Sequence, residues 1–565
     1  MKKTTFYLYI LPALISVALT LDACRKYETE PLYAIKDELV WDDMDSLGVV
    51  ANYFLNDLYT YLPDGFNRIS GDIFDAATDD AMSSRNNTTI QYFTNGRITA
   101  LNNPDGVWSS SYYGIRRANI FLKNVYKVPN VLLNTYGKAE ARFIRAMCYF
   151  ELLKRYGGIP LVGDTLFTLE DNLQLPRNTF ADCVDYIVRE CDSIKGKLRV
   201  ETIPDADWGR IPRGAAMALK ARVLLYAASP LCNGGGVEAD PAKRALTGYI
   251  TADNSRWQKA LDAAQDFIAL GSYGLNTSFG PLFTTKKNVE VILARQTANN
   301  YVIENNNAPV GFASPAIGFG LTSPTQELVD AFPMNNGLAI TAAGSGYNAA
   351  APYANRDPRL GFTVFYNGYK WLSRLIETHD GGKDKPGGNT VQTKTGYYMR
   401  KFMADFSSNT TYTNQSHNFI LFRYAEILLN QAEALNELGR SPEAYAPLIA
   451  IRKRAGITAG SNALYGLTAS MTQADMRTVI QNERRIELAF EEHRFWDTRR
   501  WKIADTRLNG TVHGMKITKD ATSGTLTYTV VDATQLLFNP SRMYHMPLPY
   551  AEISKNASLI QNEGW

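Results

Sequence analysis

The feature that most constrains this chain is a succession of helical stripes, each needing a neighbour to bury it. Residues 43–61 place Leu47, Val50, Ala51, Phe54, Leu55 and Leu58 at helical spacing and end at the turn signal Pro63-Asp64-Gly65. Residues 109–125 repeat the pattern with Tyr112, Ile115, Ile120 and Leu122, and Pro129 lies beyond their end. Residues 137–156 carry Ala139, Phe143, Ala146, Met147, Phe150 and Leu153, and stop at Gly157-Gly158. Next come 179–198, with Asn178 or Thr179 as candidate cap, the Ala- and Leu-rich 213–228 closed by Pro230, and 257–270 with Trp257, Leu261, Ala264 and Ile268 on one side. Isolated helices of this length are marginal in water, so their stability has to come from packing these faces together.

Small residues such as Ala215, Ala216, Ala218, Ala221 and Ala227 let two helices approach closely. Small and large residues alternating on successive helices are similar to tetratricopeptide stacking, although no exact period of about 34 residues survives. The middle differs. Residues 301–407 are rich in Gly, Asn, Pro and Tyr, and 304–320, 342–353 and 379–396 read as long loops with short strands. Helices return at 419–438, 442–455 and 472–501, with Gly439 as a C-terminal stop. A chain of 565 residues exceeds the roughly 250–300 that one core supports, so two lobes or an extended array are expected. The expected fold class is mainly α: a tetratricopeptide-like helical repeat scaffold (an α–α superhelix) with an irregular, loop-rich C-terminal region.

The first residues read as an address. Lys2 and Lys3 precede an apolar run over 6–21, and Leu21-Asp22-Ala23-Cys24 follows. The run is shorter than the roughly 20 residues of a spanning helix. Leu21 and Ala23 suit a lipoprotein cleavage site, from which Asp22 departs, so 1–23 is expected to be a signal peptide and Cys24 the site of lipidation. Acyl chains would tether the mature chain to a membrane without spanning it. A net charge of +3 argues against nucleic acid, whose phosphates demand a basic face. Cys183 and Cys191 lie about 12 Å apart along one helix, too far for a disulfide, so buried free thiols are expected.

Several segments closely resemble one family. They include Trp108-Ser-Ser-Ser-Tyr-Tyr-Gly-Ile-Arg-Arg-Ala-Asn119, Ala139-Glu-Ala-Arg-Phe-Ile-Arg-Ala146 and Gly157-Gly-Ile-Pro-Leu-Val162. Later come Pro324-Thr-Gln-Glu-Leu-Val-Asp-Ala-Phe332, Arg356-Asp-Pro-Arg-Leu360, Phe422-Arg-Tyr-Ala-Glu-Ile-Leu-Leu-Asn-Gln-Ala-Glu-Ala434, Glu483-Arg-Arg-Ile-Glu-Leu-Ala-Phe490 and Phe495-Trp-Asp-Thr-Arg-Arg-Trp501. In this order, behind a lipoprotein signal, they resemble the SusD/RagB family of nutrient-binding outer-membrane lipoproteins. The resemblance covers nearly the whole mature chain, divided as an N-terminal helical region over 24–290 and a C-terminal region over 291–565. It implies a right-handed scaffold of four tetratricopeptide-like helix pairs with an irregular, ligand-facing region packed on it. It also implies a SusC-like TonB-dependent barrel transporter as partner, over which the lipoprotein sits as a lid on the outer face of the outer membrane.

The chemistry points to binding rather than catalysis. Glu483, Glu487 and Glu491 recur every four residues beside Arg484, Arg485 and Arg494, a pattern of helix-stabilising ion pairs. The functional alternative is a glycosidase pair, with two carboxyls about 5–9.5 Å apart across a bond. The histidines match no zinc spacing, and Asp79-Asp80 and Asp380 with Asp384 lack the alternating ligands of a calcium loop. No cofactor, metal site or catalytic residue is expected. A sugar, in contrast, asks for an aromatic platform and forked polar groups around it. The mixture occurs outside helical stripes in 72–108 and in 301–353. Asp79, Arg85, Tyr92 and Asn95 are the expected ligand contacts in the first, by similarity to starch-binding members of the family. Tyr301 and Tyr347 are the expected stacking residues in the second. Trp108, on a helical stripe, reads as core. The favoured cargo is an oligosaccharide. The rivals are peptides, which the acid-rich 72–80 stretch would draw, and hydrolysis by carboxylates such as Glu433 and Glu487.

Overall fold

The structure, a computed structural model, describes residues 37–201, 203–312, 318–407 and 412–565. The expected signal peptide and Cys24 lie outside the described residues. In chain order the elements that matter are α1 (Val49–Leu58), β1 (Ala81–Ser83), α2 (Trp108–Asn124), α3 (Lys138–Tyr156), α4 (Phe180–Ile194), α5 (Arg213–Ala228) and α6 (Ser255–Ile268). They continue with β2 (Val291–Arg295), α7 (Val302–Asn307), β3 (Thr322–Pro324), α8 (Gln326–Ala331), β4 (Phe419–Arg423), α9 (Tyr424–Glu437) and α10 (Ser441–Ala455). The last are α11 (Gln473–Glu487), α12 (Arg494–Arg500), β5 (Gly510–Lys519) and β6 (Leu526–Leu536).

The helices form the expected tetratricopeptide-like array. Each packs on the next, from α1 through α6, and α6 then meets α9, which carries α10 and α11. Local chemistry sets their ends. Thr179 caps α4 by accepting the Asp182 N–H at 3.1 Å, and Asp182 accepts from the Thr179 backbone and hydroxyl in return. Gly439, with φ +76°, ends α9 as the sequence suggests. The alanines of α5 are fully packed, Ala215, Ala216, Ala218 and Ala221 all at 0% exposure. Trp108 is core, stacked edge-on against Tyr156. Cys148, Cys183, Cys191 and Cys232 are buried free thiols, and burial pushes Cys148 up to about 12. One core cluster draws side chains from Trp41 to Leu559, on both sides of residue 290.

Between α6 and α9 the chain leaves the array and returns. The exit is a two-stranded antiparallel sheet in which Val291 faces Arg423 and Arg295 faces Phe419. The irregular region emerges through that neck. Its own core, built on Phe279, Phe332, Phe365, Trp371, Tyr397 and Tyr398, also takes in Ile486, Ala489 and Phe490 from the end of α11. Two sequence assignments change here. Residues 419–423 are strand rather than the start of a helix. A short run buried at every position has no period to separate the two. The stretch 472–501 is two helices, because Phe490 (φ +64°) and Glu492 (φ +61°) turn the chain after α11. That turn drops Phe490 into the second core, where its N–H donates to Asp75 at 3.0 Å.

Candidate functional site

The two sequence regions read as ligand-facing meet through β1 and β3. Ala81 faces Pro324, Met82 faces Ser323, and Ser83 faces Thr322. The pairing runs on at one end, where Ser84 N–H donates to Leu321 O at 2.8 Å and Ser84 Oγ approaches Ser323 Oγ at 2.7 Å. At that end the chain opens to solvent on both strands: Arg85, Asn86 and Asn87 leave β1, and Phe319 precedes β3. Phe319 is 48% exposed, a large apolar ring held on the surface. Its N–H, like that of Gly318, donates to Asn305 O in α7. Tyr301, 37% exposed, immediately precedes the same short helix, one turn before Asn305.

A third segment locks the loop. Lys394 N–H donates to Ser323 Oγ at 3.1 Å, and its ammonium donates to Arg85 O at 3.0 Å and Asn86 Oδ1 at 2.7 Å. Burial lowers its pKa. Arg85 bridges back to Ser70 O and, at 2.9 Å, to Asp72. Burial pushes the Asp72 carboxyl up to about 6, against the pull of Arg85. A fourth segment closes the far side: Leu537 N–H donates to Thr94 O at 2.7 Å and Arg542 donates to Gly96 O at 3.3 Å. The surface offers an exposed ring, exposed amides and fixed cations. These bind hydroxyls and anions; a glycoside bond needs two carboxyls to be cut.

The predicted residues divide. Arg85 borders this surface. Tyr92 and Asn95 are half-buried on the loop's far turn, Tyr92 with Arg97 over its ring at 4.9 Å and Asn95 bridged to Leu537. Tyr347 belongs to another neighbourhood, stacked on Arg356 at 5.7 Å. Asp79 is 3% exposed, and Arg494 grips its carboxylate with bonds of 2.8 and 2.6 Å. Burial alone would raise its pKa, but Arg485 and Arg494 outweigh it and hold the group well below the usual carboxylate range. It is a structural ion pair, turned from solvent. Phe319, Asn86 and Asn305 belong to the aromatic and polar mixture of the two sequence regions but are not among the expected contacts. Lys394 carried no local signal at all.

The same burial removes the footing of both rivals. Asp72, Asp75, Asp79 and Asp80 are each at most 3% exposed, so the stretch presents no acidic surface to a basic peptide. Glu483 and Glu487 are fully buried, and Glu487 is held well below the usual range by Arg454, Arg423 and Arg359 against desolvation, the opposite of a general acid. Glu433 is bound to Arg500 and Trp501 Nε1. Asp384 is engaged by Arg374 at 2.8 Å, and no group of three or more metal-ligating side chains occurs among the described residues. A separate cavity of about 460 Å³ lies between Trp208–Pro212 and β2. Its floor is aliphatic and its cations are already paired, Arg210 with Glu140 and Lys287 with Asp205.

Two family models match. Residues 289–565 match one described as the SusD family, and residues 41–225 match one described as starch-binding, associating with outer membrane. The chain belongs to the SusD/RagB family. A SusD-like protein of Formosa agariphila is 23% identical over 88% of this chain and 91% of its own length. The crystal structure of a SusD-like protein from Bacteroides fragilis is 28% identical and superposes with a TM-score of 0.76, covering 95% of this chain and all of that one. A SusD-like carbohydrate-binding protein from Bacteroides fragilis (24% identical, TM-score 0.73, 91% and 99% covered) shares the SusD fold. So does a laminarin-binding SusD-like protein (22%, TM-score 0.62, 92% and 99% covered). No helix among the described residues is long and apolar enough to cross a membrane.

Proposed function

We propose that this SusD-family chain captures oligosaccharides at the cell surface, is held to the outer membrane through lipidated Cys24, and delivers its cargo to a SusC-like TonB-dependent transporter without cleaving it. The observation that carries the reading is the β1–β3 pairing. It carries both strands outward at one end, to the exposed Phe319 before β3 and to Asn86, held by Lys394, after β1, so that a ring and polar groups share that end of the ladder. A pyranose stacks its C–H face on such a ring and spends its hydroxyls on the rim. The carbohydrate-binding and laminarin-binding relatives support the cargo class, and the outer-membrane description of one family model supports the location. Calorimetry of the chain from residue 25 onward against a panel of oligosaccharides tests it. Saturable binding without product is expected. Phe319→Ala should weaken it roughly fivefold while leaving thermal unfolding unchanged, since the ring is half in solvent. Binding that survives both Phe319→Ala and Asn86→Ala places the site elsewhere. Palmitate labelling that is absent from Cys24→Ala, and present otherwise, tests the anchor.

A further inference from the structure

The segments that wall the β1–β3 loop face share a bias. Residues 81–104, 305–312, 318–326, 385–404 and 533–551 contain no Asp or Glu, although about one residue in ten of the chain is acidic. They come together at this face through the Ser84–Leu321, Lys394–Asn86, Leu537–Thr94 and Arg542–Gly96 bonds. They bring Arg85, Lys394, Arg97 and Arg542 with them. Arg85 is answered by Asp72 from below. Arg97, Lys394 and Arg542 form no ion pair among the described residues, whereas Arg155 and Arg423 of the core each meet at least two carboxylates. The net charge of +3 makes this a local arrangement, not a spill-over of general basicity.

Position sharpens the point. Lys394 and Arg85 stand at one end of the 84–97 loop, Arg97 and Arg542 at the other. Lys394 spends two of its three donors on neutral acceptors and Arg542 reaches a backbone carbonyl. Neutral hydroxyls do not require cations, and Lys394 and Arg542 are half-buried without an ion pair, which is costly. Anions along a chain would repay them, and a cleft lined by one sign of charge concentrates ligands of the other.

Resting on the glycan reading above, we propose that the SusD-like site selects an anionic oligosaccharide, bearing carboxylate or sulfate-ester groups along its length and lying between Lys394 and Arg97. The test titrates the intact chain with three probes of matched length: an oligogalacturonate, a sulfated oligosaccharide and a neutral laminari-oligosaccharide, each at low and high salt. Expected is tighter binding of one or both acidic probes, the tighter one naming the anionic group, with the preference collapsing as salt screens it. Arg97→Gln and Lys394→Gln should each cost about two- to fivefold for the acidic probe, while Lys394→Arg retains most of the affinity. Thermal unfolding of each variant reports whether it folds, and the salt dependence of the unmutated chain tests the idea independently. Equal, salt-insensitive binding of neutral and acidic probes overturns the charge inference and leaves the glycan reading standing. Binding of a peptide mixture with no response to any oligosaccharide overturns both.

Discussion

Asp79 and Phe319 flank the same three-residue ladder, at opposite ends, and only one of them reaches solvent. Past Ala81 and Pro324 the chain runs into the array, where Thr325 Oγ1 donates to Asp79 O at 2.6 Å and Arg494 closes on the carboxylate. Past Ser83 and Thr322 it runs outward. A buried guanidinium that loses its partner is worse off than one that never had it, so Asp79→Ala should destabilise by about 3–5 kcal/mol in urea titrations. It should leave the oligosaccharide affinity of the folded fraction unchanged. Asp105 gives a pH-dependent counterpart. Burial raises its pKa, but Arg155 and Arg68 prevail and hold it at about 2. A depressed folded value means the stabilisation is present above the unfolded value of 3.8 and is lost as pH falls toward 2. The amount is about 2 kcal/mol. Urea midpoints at pH 5 and pH 3 should therefore converge more in Asp105→Asn than in the unmutated chain.

At the scale of elements, the β5–β6 hairpin seats the site from behind. Met515 N–H donates to Thr395 O at 2.7 Å, one residue from Lys394. Gly396, at φ +82°, lies directly against the Met515 carbonyl, where no Cβ fits. Gly396→Ala combines an unfavourable backbone region with that clash. It should cost about 2 kcal/mol of stability and weaken oligosaccharide binding by unseating Lys394. Unchanged stability and affinity would show that the hairpin does not position the turn. This is also where the sequence was least legible. The helices of the array fall close to their stripes, because burial on one face writes a 3.6-residue period, and 213–228 matches α5 residue for residue through its run of Ala and Leu ended by Pro230. β1 and β3 are three residues each, too short for any period, yet their pairing decides that Phe319 and Asn86 reach solvent while Asp79 does not. Lys394 is brought to Asn86 across about 300 residues of chain, and no local pattern marks such a contact. The regions 72–108 and 301–353 were readable from composition; the individual contacts were not.

Over the whole molecule, the irregular region and the helical array share one buried ionic cluster. Five acids, Glu290, Asp357, Glu483, Glu487 and Glu491, meet five bases, Arg359, Lys401, Arg423, Arg452 and Arg454. Asp357, Arg359 and Lys401 come from the irregular region, Glu290 and Arg423 from its neck, and the remainder from α10, α11 and the turn after it. Glu487 sits at the centre, touching Arg359 at 2.9 Å, Arg423 at 2.7 Å, and Arg454. Such clusters stabilise little relative to well-packed apolar side chains, but their members are costly to remove singly. Glu487→Gln would leave three guanidiniums short of one charge, and should exceed the 3–5 kcal/mol typical of one broken buried pair. Because the irregular region shares both this cluster and its apolar core with the end of α11, it should not melt apart from the array. Circular dichroism, which follows the helices, and oligosaccharide binding, which follows the β1–β3 face, should then fall together at one lowered temperature in the variant. A helical glycosidase using Glu487 predicts the reverse: an unchanged melting curve, intact ligand binding and loss of a product that the unmutated chain makes.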